Sequence, residues 1–274
     1  MNEKISLAGD LGSGKSTVSE ILINRIGAEY YSTGAIVRSI AAKRGMTVVE
    51  LNLYMETHPE IDNEIDDGLK QLANIPKSLV IDSRMAWHFT EGTFKVYLTT
   101  DTEVSALRIM GANRQGEHCA TLEKTVEDTR ARRDSERKRY MTQYGVDIKD
   151  LTNYSVVVDT TDATPDEVAE KILYSFECWK SDKKFCAAYI CPTRIMYPDD
   201  EADAELIEEY SSLLEMGENI PEITVYEENN EFYLLSGVEA AVSYALCGEV
   251  FVPCKLVKRP DSNGINYVKM MNSL

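Results

Sequence analysis

Long apolar runs are missing from this chain of 274 residues. No stretch reaches the roughly 18 residues that a helical membrane span needs, and the N-terminus carries no signal pattern, so neither a span nor export is expected. Histidine is scarce, with three residues, His58, His88 and His118, that share no motif. The six cysteines, Cys119, Cys178, Cys186, Cys191, Cys247 and Cys254, are scattered. Cys186 and Cys191 have loose metal-ligand spacing, but no second pair or nearby histidine completes a zinc site, and free thiols in a cytoplasmic protein are expected. Basic residues are in deficit: 29 Lys and Arg stand against 46 Asp and Glu, a net charge of −17. That balance excludes a general nucleic-acid-binding surface, which needs clustered Lys and Arg. Internal repeats and low-complexity stretches are absent too.

What is present is unevenly placed. From Asp199 to Glu231 there are thirteen acids and no Lys or Arg, whereas Arg108 to Arg139 holds nine Lys or Arg against six acids. The chain also opens on "KISLAGDLGSGKSTVSEILINRIG". Gly9, Gly14, Lys15 and Ser16 fit G-x-x-x-x-G-K-[ST], after a short apolar strand and before a helical pattern carried by Val18, Ile21, Leu22 and Ile26. Strand, loop and helix are the context in which this motif cradles phosphate. The glycines let successive N–H groups turn inward, and the helix N-terminus adds partial positive charge. Lys15 can reach β- and γ-phosphates, and the Ser16 hydroxyl can ligate Mg²⁺. A nucleoside triphosphate is the expected ligand.

The first part of the chain alternates strand and helix. "KISLA", "AEYY", "SLVID", "FKVYL" and "YSVVVDT" read as strands, separated by helical patterns. The expectation is α/β: a five-stranded parallel sheet of P-loop type with helices on both faces, closed by a helix near 164–181. After the polar joint "SDKK" the pattern changes to an acidic helix near 201–216, a hairpin "ITVYEENNEFYLLSG", a short helix and the strand "VFVPCKLV". Two domains are therefore expected, 1–182 and 185–274, the second small, acidic and α+β.

Further residues narrow the chemistry. The C-terminal ends of parallel strands are where ligands bind in such sheets. Asp82 and Arg84 end "LVIDSR", and Arg38 lies one turn into the helix that follows "YYSTG". Asp82 can orient a Mg²⁺ shell, while Arg38 and Arg84 can clamp a second phosphate group. One phosphate cradle plus two separate arginines suits a phosphorylated acceptor. In "ARRDSERKRY", Arg132, Glu136 and Arg139 stand at i, i+4 and i+7, on one helical face. That arrangement suits a lid that lays arginines over a triphosphate while Glu136 accepts a bond from a base.

In order, "GDLGSGKST", "YYSTGAIVR", "PEIDNEID", "VIDSR", "RDSERKRY", "YGVDIKDL" and "YSVVVDTT" resemble the cytidylate kinases, in particular their short, archaeal-type branch, over residues 1 to 175. The resemblance implies a phosphotransferase that uses ATP and Mg²⁺ to phosphorylate CMP and dCMP. It implies ATP binding by Gly9, Gly12, Ser13, Gly14, Lys15, Ser16 and Thr17. It implies acceptor binding by Ser32, Arg38 and Arg84, with Glu136 taking the cytosine amino group, and metal binding by Ser16 and Asp82. It implies that Lys15, Arg132 and Arg139 neutralise the transferring group. The chain departs from the family at Asp10 and Leu11, where small residues or Pro are common, and at Ser155, where Asp is common. "RIMGANRQGE" is less charged than its family counterpart, so the lid's arginine set is expected to be reduced there, with Arg114 as its survivor.

The second domain is similar, more faintly, to ParB-like and sulfiredoxin-like domains through "IPEITV", the hairpin, Gly237 and "FVPCKLV". The working residues of those domains follow the glycine as His or Glu and Arg. Here Val238, Glu239, Ala240 and Ala241 stand there, so a regulatory or homo-oligomerising module is the expectation. The partners expected overall are small nucleotides, without nucleic acid or membrane. Two other expectations stay open: a kinase for another small phosphorylated acceptor, and a nucleotide-sensing switch that recruits a protein partner through its second domain.

Overall fold

The structure, a computed structural model, describes residues 3–111, 121–199, 202–261 and 265–269. These form two compact units, Met1–Asp150 and Leu151–Leu274. Arg114, His118 and Cys119 lie outside the described residues.

In chain order the first unit holds β1 (Lys4–Gly9), α1 (Lys15–Ile26), β2 (Glu29–Ser32), α2 (Thr33–Lys43), α3 (Val48–Met55) and α4 (Glu60–Leu72). Then come β3 (Leu79–Asp82), α5 (Ala86–Phe89), β4 (Phe94–Thr99), α6 (Thr102–Gly111) and α7 (Leu122–Tyr144). Its strands lie in the order β4-β1-β3-β2 and pair in parallel. The central strands read as near-continuous apolar runs because both faces are covered: Ile5, Leu7, Val80, Ile81, Val96 and Leu98 are fully buried. The register sets Leu7 beside both Asp82 and Val96, which brings the ends of β1, β3 and β4 to one edge. The site is built there.

Local signals place the surrounding helices. The Ser32 hydroxyl caps α2, and Thr47 with Glu50 forms a capping box on α3. Helix α4 buries Ile61, Leu69 and Leu72 on one stripe. Helix α7 runs 23 residues, from its Thr121 cap to the left-handed Gly145. Its buried residues are Thr125, Thr129, Glu136, Arg139 and Tyr140, a stripe that is polar where an ordinary helix would be apolar. Buried polar groups persist only when partnered, so this stripe marks a site before any ligand is considered. Two apolar clusters back it: Leu69, Leu72, Leu79, Ile81, Met85, Ala86, Tyr140 and Ile148, and Ala41, Leu51, Met55 and Ile61.

The second unit is α+β. It contains β5 (Val156–Asp159), α8 (Pro165–Ser181), β6 (Ala187–Ile190), β7 (Ile195–Pro198), α9 (Ala204–Glu215), β8 (Ile223–Glu228), β9 (Glu231–Ser236), α10 (Val238–Leu246), β10 (Val252–Val257) and β11 (Tyr267–Lys269). Its strands run in the order β11-β7-β9-β8-β10-β6-β5 with mixed pairing. The hairpin read from the sequence is present, turned by Asn229 and Asn230, both at positive φ. The expected boundary near residue 183 falls inside this unit. Strand β5 and helix α8 fall within it, and β5 pairs in parallel with β6, Val156 beside Ala187, a main-chain ladder that local sequence does not announce. Inside the unit, Arg194 is 2% exposed and bonds Asp159 at 3.2 Å and the Asn230 carbonyl. Cys178, Cys186, Cys191, Cys247 and Cys254 are free thiols.

Candidate active site

The loop between β1 and α1 is shaped by two glycines. A Cβ on Gly9 would sit 2.4 Å from the Leu98 carbonyl oxygen, so only glycine lets β1 run this close to β4. Gly14, at φ 78°, is the left-handed N-cap of α1 and meets nothing on its open side. The Ser13 hydroxyl donates to the Asp10 carbonyl at 2.8 Å, and Lys15 Nζ donates to the Gly9 and Asp10 carbonyls at 3.0 and 2.6 Å. Burial and then the neighbouring Arg84 push the Lys15 ammonium down to about 7.

Asp10, where the sequence departs from its resemblance, is 3% exposed and fully engaged. It accepts from Tyr97, Lys149, Thr99 and the Thr100 N–H, with Arg133 at 3.7 Å. Burial favours the neutral acid, but Lys149 and Arg133 outweigh it and hold the carboxyl well below the usual carboxylate range. The loop is thus tied to β4, to α7 and to the segment after α7.

A cavity of 420 Å³ opens beside the loop. Its walls come from Leu11 to Ser16, from α2 (Thr33, Gly34, Val37, Arg38), from α3 (Val48, Asn52), from Asp82 to Arg84, and from α7 (Arg132, Glu136, Arg139, Tyr140). At its centre Glu136 joins two arginines: Arg84 Nε donates to one carboxylate oxygen at 2.8 Å and Arg132 Nε to the other at 3.1 Å. Burial opposes this charge, but Arg84 and then Arg132 draw the Glu136 carboxyl down to about 2. Arg84 also donates to the Gly9 carbonyl at 2.8 Å. Arg139, 9% exposed, donates to the Asn52 carbonyl and side-chain oxygen at 3.4 and 3.3 Å and to the Tyr140 hydroxyl at 3.3 Å, and lies 3.3 Å from Asp62.

Lys15, Ser16, Arg38, Asp82, Arg84, Arg132, Glu136 and Arg139 therefore share one cavity, together with Gly12, Ser13 and Gly14. Gly9, Thr17 and Ser32 do not line it. Ser32 instead spends its hydroxyl on the Ala35 N–H as the α2 cap. Arg139, expected to reach the transferring group with Arg132, is anchored against α3. Glu136, expected to accept from a base, already accepts from arginines at both its oxygens. The sequence reading misses Asn52, Val37, Val48 and Tyr140 in the wall, and Lys149 at Asp10. Asn52 does leave a trace, as an amide set between Leu51 and Leu53 in the mostly apolar stretch "VVELNLYM".

Ser16 and Asp82 offer a hydroxyl and a carboxylate beside the phosphate loop, a hard-oxygen donor set that fits Mg²⁺ completed by phosphate and water. Asp82 Oδ2 accepts from the Tyr30 hydroxyl at 2.9 Å, which orients it. No cluster of three or more His, Cys, Asp or Glu able to hold a metal alone occurs among the described residues.

A phosphate loop, an oxygen pair for a divalent cation and an arginine cluster in one cavity fit one class: a P-loop nucleoside monophosphate kinase. Comparison with known proteins agrees. The model of an AAA domain matches residues 5–140. A cytidylate kinase of Archaeoglobus fulgidus is 35% identical over 178 residues, 65% of this chain and 96% of that protein. A cytidylate kinase of Haloarcula marismortui is 37% identical over 180 residues, 65% and 91% of the two chains. The chain belongs to the cytidylate kinase family. It is also 33% identical over 226 residues to an S-adenosylmethionine-dependent nucleotide dehydratase of Lacinutrix mariniflava, spanning 74% of this chain and 46% of that enzyme. A sulfiredoxin from Arabidopsis thaliana aligns with 27% of this chain at a TM-score of 0.24, too low to bear on the fold of the second unit.

Proposed function

We propose that this nucleoside monophosphate kinase transfers the γ-phosphoryl group of ATP to CMP or dCMP, with Mg²⁺, giving CDP or dCDP. The observation that carries the proposal is the single cavity lined both by Lys15 of the phosphate loop and by Arg38, Arg84, Arg132 and Arg139. Matching archaeal relatives named cytidylate kinase cover nearly their whole length on this chain.

The acceptor phosphate is ionised at neutral pH, so no general base is needed, and catalysis is positioning plus charge neutralisation. Lys15 leaves the Gly9 and Asp10 carbonyls for the β- and γ-oxygens. Arg38 and Arg84 hold the acceptor phosphate, and Arg132 closes over the transferring group to exclude water. Glu136 keeps Arg84 and Arg132 apart and aimed. Ser16 and Asp82 would hold Mg²⁺, which when bound supplies further neutralisation of the phosphates. The second unit serves as a regulatory or oligomerising module, and the protein works in the cytoplasm on small nucleotides.

The test is ADP release from ATP and Mg²⁺ with CMP, dCMP, UMP, AMP, GMP or no acceptor, beside Lys15→Ala. Turnover with CMP or dCMP, reduced by about 10²–10³ in the variant as expected for losing one transition-state charge donor, supports the proposal. Turnover with a different acceptor alone, or ATP binding without acceptor-dependent turnover, refutes it.

A further inference from the structure

The cavity wall contains a side-chain amide held in one orientation. Asn52, 8% exposed, lines the wall from α3. Its Nδ2 donates to the Val48 carbonyl at 2.9 Å, and its Oδ1 accepts from Arg139 Nη1 at 3.3 Å. A carboxamide is ordinarily free to exchange its oxygen and nitrogen by rotating half a turn. Here the exchange would set oxygen against the Val48 carbonyl and NH₂ against a guanidinium, two repulsions in a buried site. Arg139 is fixed in turn by the Asn52 carbonyl, the Tyr140 hydroxyl and Asp62, which is 4% exposed. After these bonds the amide keeps one N–H and one oxygen lone pair, a donor and an acceptor side by side in known order.

We infer that Asn52 reads the base of the acceptor nucleotide, with Arg139 and Asp62 as positioning residues that lock its amide. This rests on the cytidylate reading of the same site. The 3,4-edge of cytosine presents an acceptor at N3 and a donor at the 4-amino group. A locked amide meets it with N–H to N3 and oxygen to the amino hydrogen. Uracil presents the reverse, a donor at N3 and an acceptor at O4, and meets like with like at both atoms. A freely turning amide would serve either base, so the discrimination lies in the lock as much as in the amide. Val37 and Val48 line the same cavity and offer apolar surface to a ring. Glu136 holds Arg84 and Arg132, one at each carboxylate oxygen, and a Glu136 variant separates its share from that of Asn52.

The experiment measures kcat/KM for CMP and UMP with the full-length parent and with Asn52→Asp, Arg139→Met and Glu136→Gln. Circular dichroism and the KM for ATP monitor folding. One bidentate pair discriminates about fivefold to about 150-fold between bases, so the parent is expected to favour CMP by a factor in that range. Asn52→Asp offers two acceptors and should bring the CMP:UMP ratio near or below one. Arg139→Met frees the amide and should lower the ratio by raising UMP turnover. Glu136→Gln should slow both acceptors alike. Asn52→Asp and Arg139→Met that lose activity equally on both acceptors, at an unchanged ratio, overturn the inference and leave the cytidylate reading standing. A collapse of the ratio in Glu136→Gln alone overturns it in the same way. A parent that turns over CMP and UMP equally overturns the inference alone, and a parent that turns over UMP but not CMP overturns both. If Asn52→Asp does not fold, Arg139→Met decides alone.

Discussion

Replacing Glu136 by Gln removes one negative charge from between two guanidiniums and changes little else in shape. The side chain is 8% exposed, 2.8 Å from Arg84 and 3.1 Å from Arg132. Its carboxyl falls from 4.5 to about 2 on folding, and that fall corresponds to about 3 kcal/mol of stability at neutral pH. Breaking a buried ion pair by deleting one partner gives about 3–5 kcal/mol by an independent route. The variant should therefore lose about 3 kcal/mol at pH 7, or about 6–12 °C in melting temperature for a protein of this size. The sign in pH follows from a depressed acid: its stabilisation is complete above 4.5 and is lost as pH falls through 2, so at pH 3 about half the difference should remain. Sulfate or triphosphate should stabilise the variant more than the parent, because either anion supplies the charge the arginines lack. The measurement is urea unfolding at pH 7 and pH 3, with and without sulfate. A variant within about 0.5 kcal/mol of the parent at pH 7, or one equally destabilised at both pH values, would refute the reasoning.

Two further outcomes rest on titrating groups. Lys15 is lowered to about 7 by burial and Arg84, and a bound polyphosphate favours its charged form, so ATP binding above pH 7 should take up a proton. Calorimetry at pH 8 in two buffers of different ionisation heat should show a buffer-dependent enthalpy, and ATP affinity should fall about tenfold per pH unit above 7; equal enthalpies would count against it. Burial raises the Asp66 carboxyl to about 6, against the hydrogen bond it accepts from Tyr144. A raised acid stabilises below its unfolded value and loses that contribution as pH rises through 6. Asp66→Asn should then stabilise the protein at pH 8 by about 1–2 kcal/mol, discounted for solvent screening, with little gain at pH 4; no gain at pH 8 would refute it.

The phosphate loop was legible because its requirements are local: glycines at fixed offsets, an apolar run before and a helical stripe after. The hairpin was legible for the same reason, since Asn229 and Asn230 can take positive φ side by side. Arg132, Glu136 and Arg139 were legible as one face of a helix, but not as partners. Seven residues of helix rise about 10 Å, so two arginines on one stripe answer to different neighbours, Arg132 to Glu136 and Arg139 to Asn52 and Asp62. Lys149 reaches Asp10 across 139 positions of sequence, and no spacing rule carries that far. The parallel pairing of β5 with β6 is likewise one that only the folded chain displays.

Helix α7 meets its neighbours through Thr125, Thr129, Glu136, Arg139 and Tyr140, with scarcely an aliphatic group among them. A greasy seam tolerates sliding, because one methyl serves nearly as well as another. A seam of matched charges works like a gear: moved by one tooth, Glu136 leaves both arginines, Arg139 leaves Asp62, and Arg133 leaves Asp10 together. Such a helix has few intermediate resting places. It holds its register or lets go of it whole, and the reagents mounted on it arrive at the phosphates as a set.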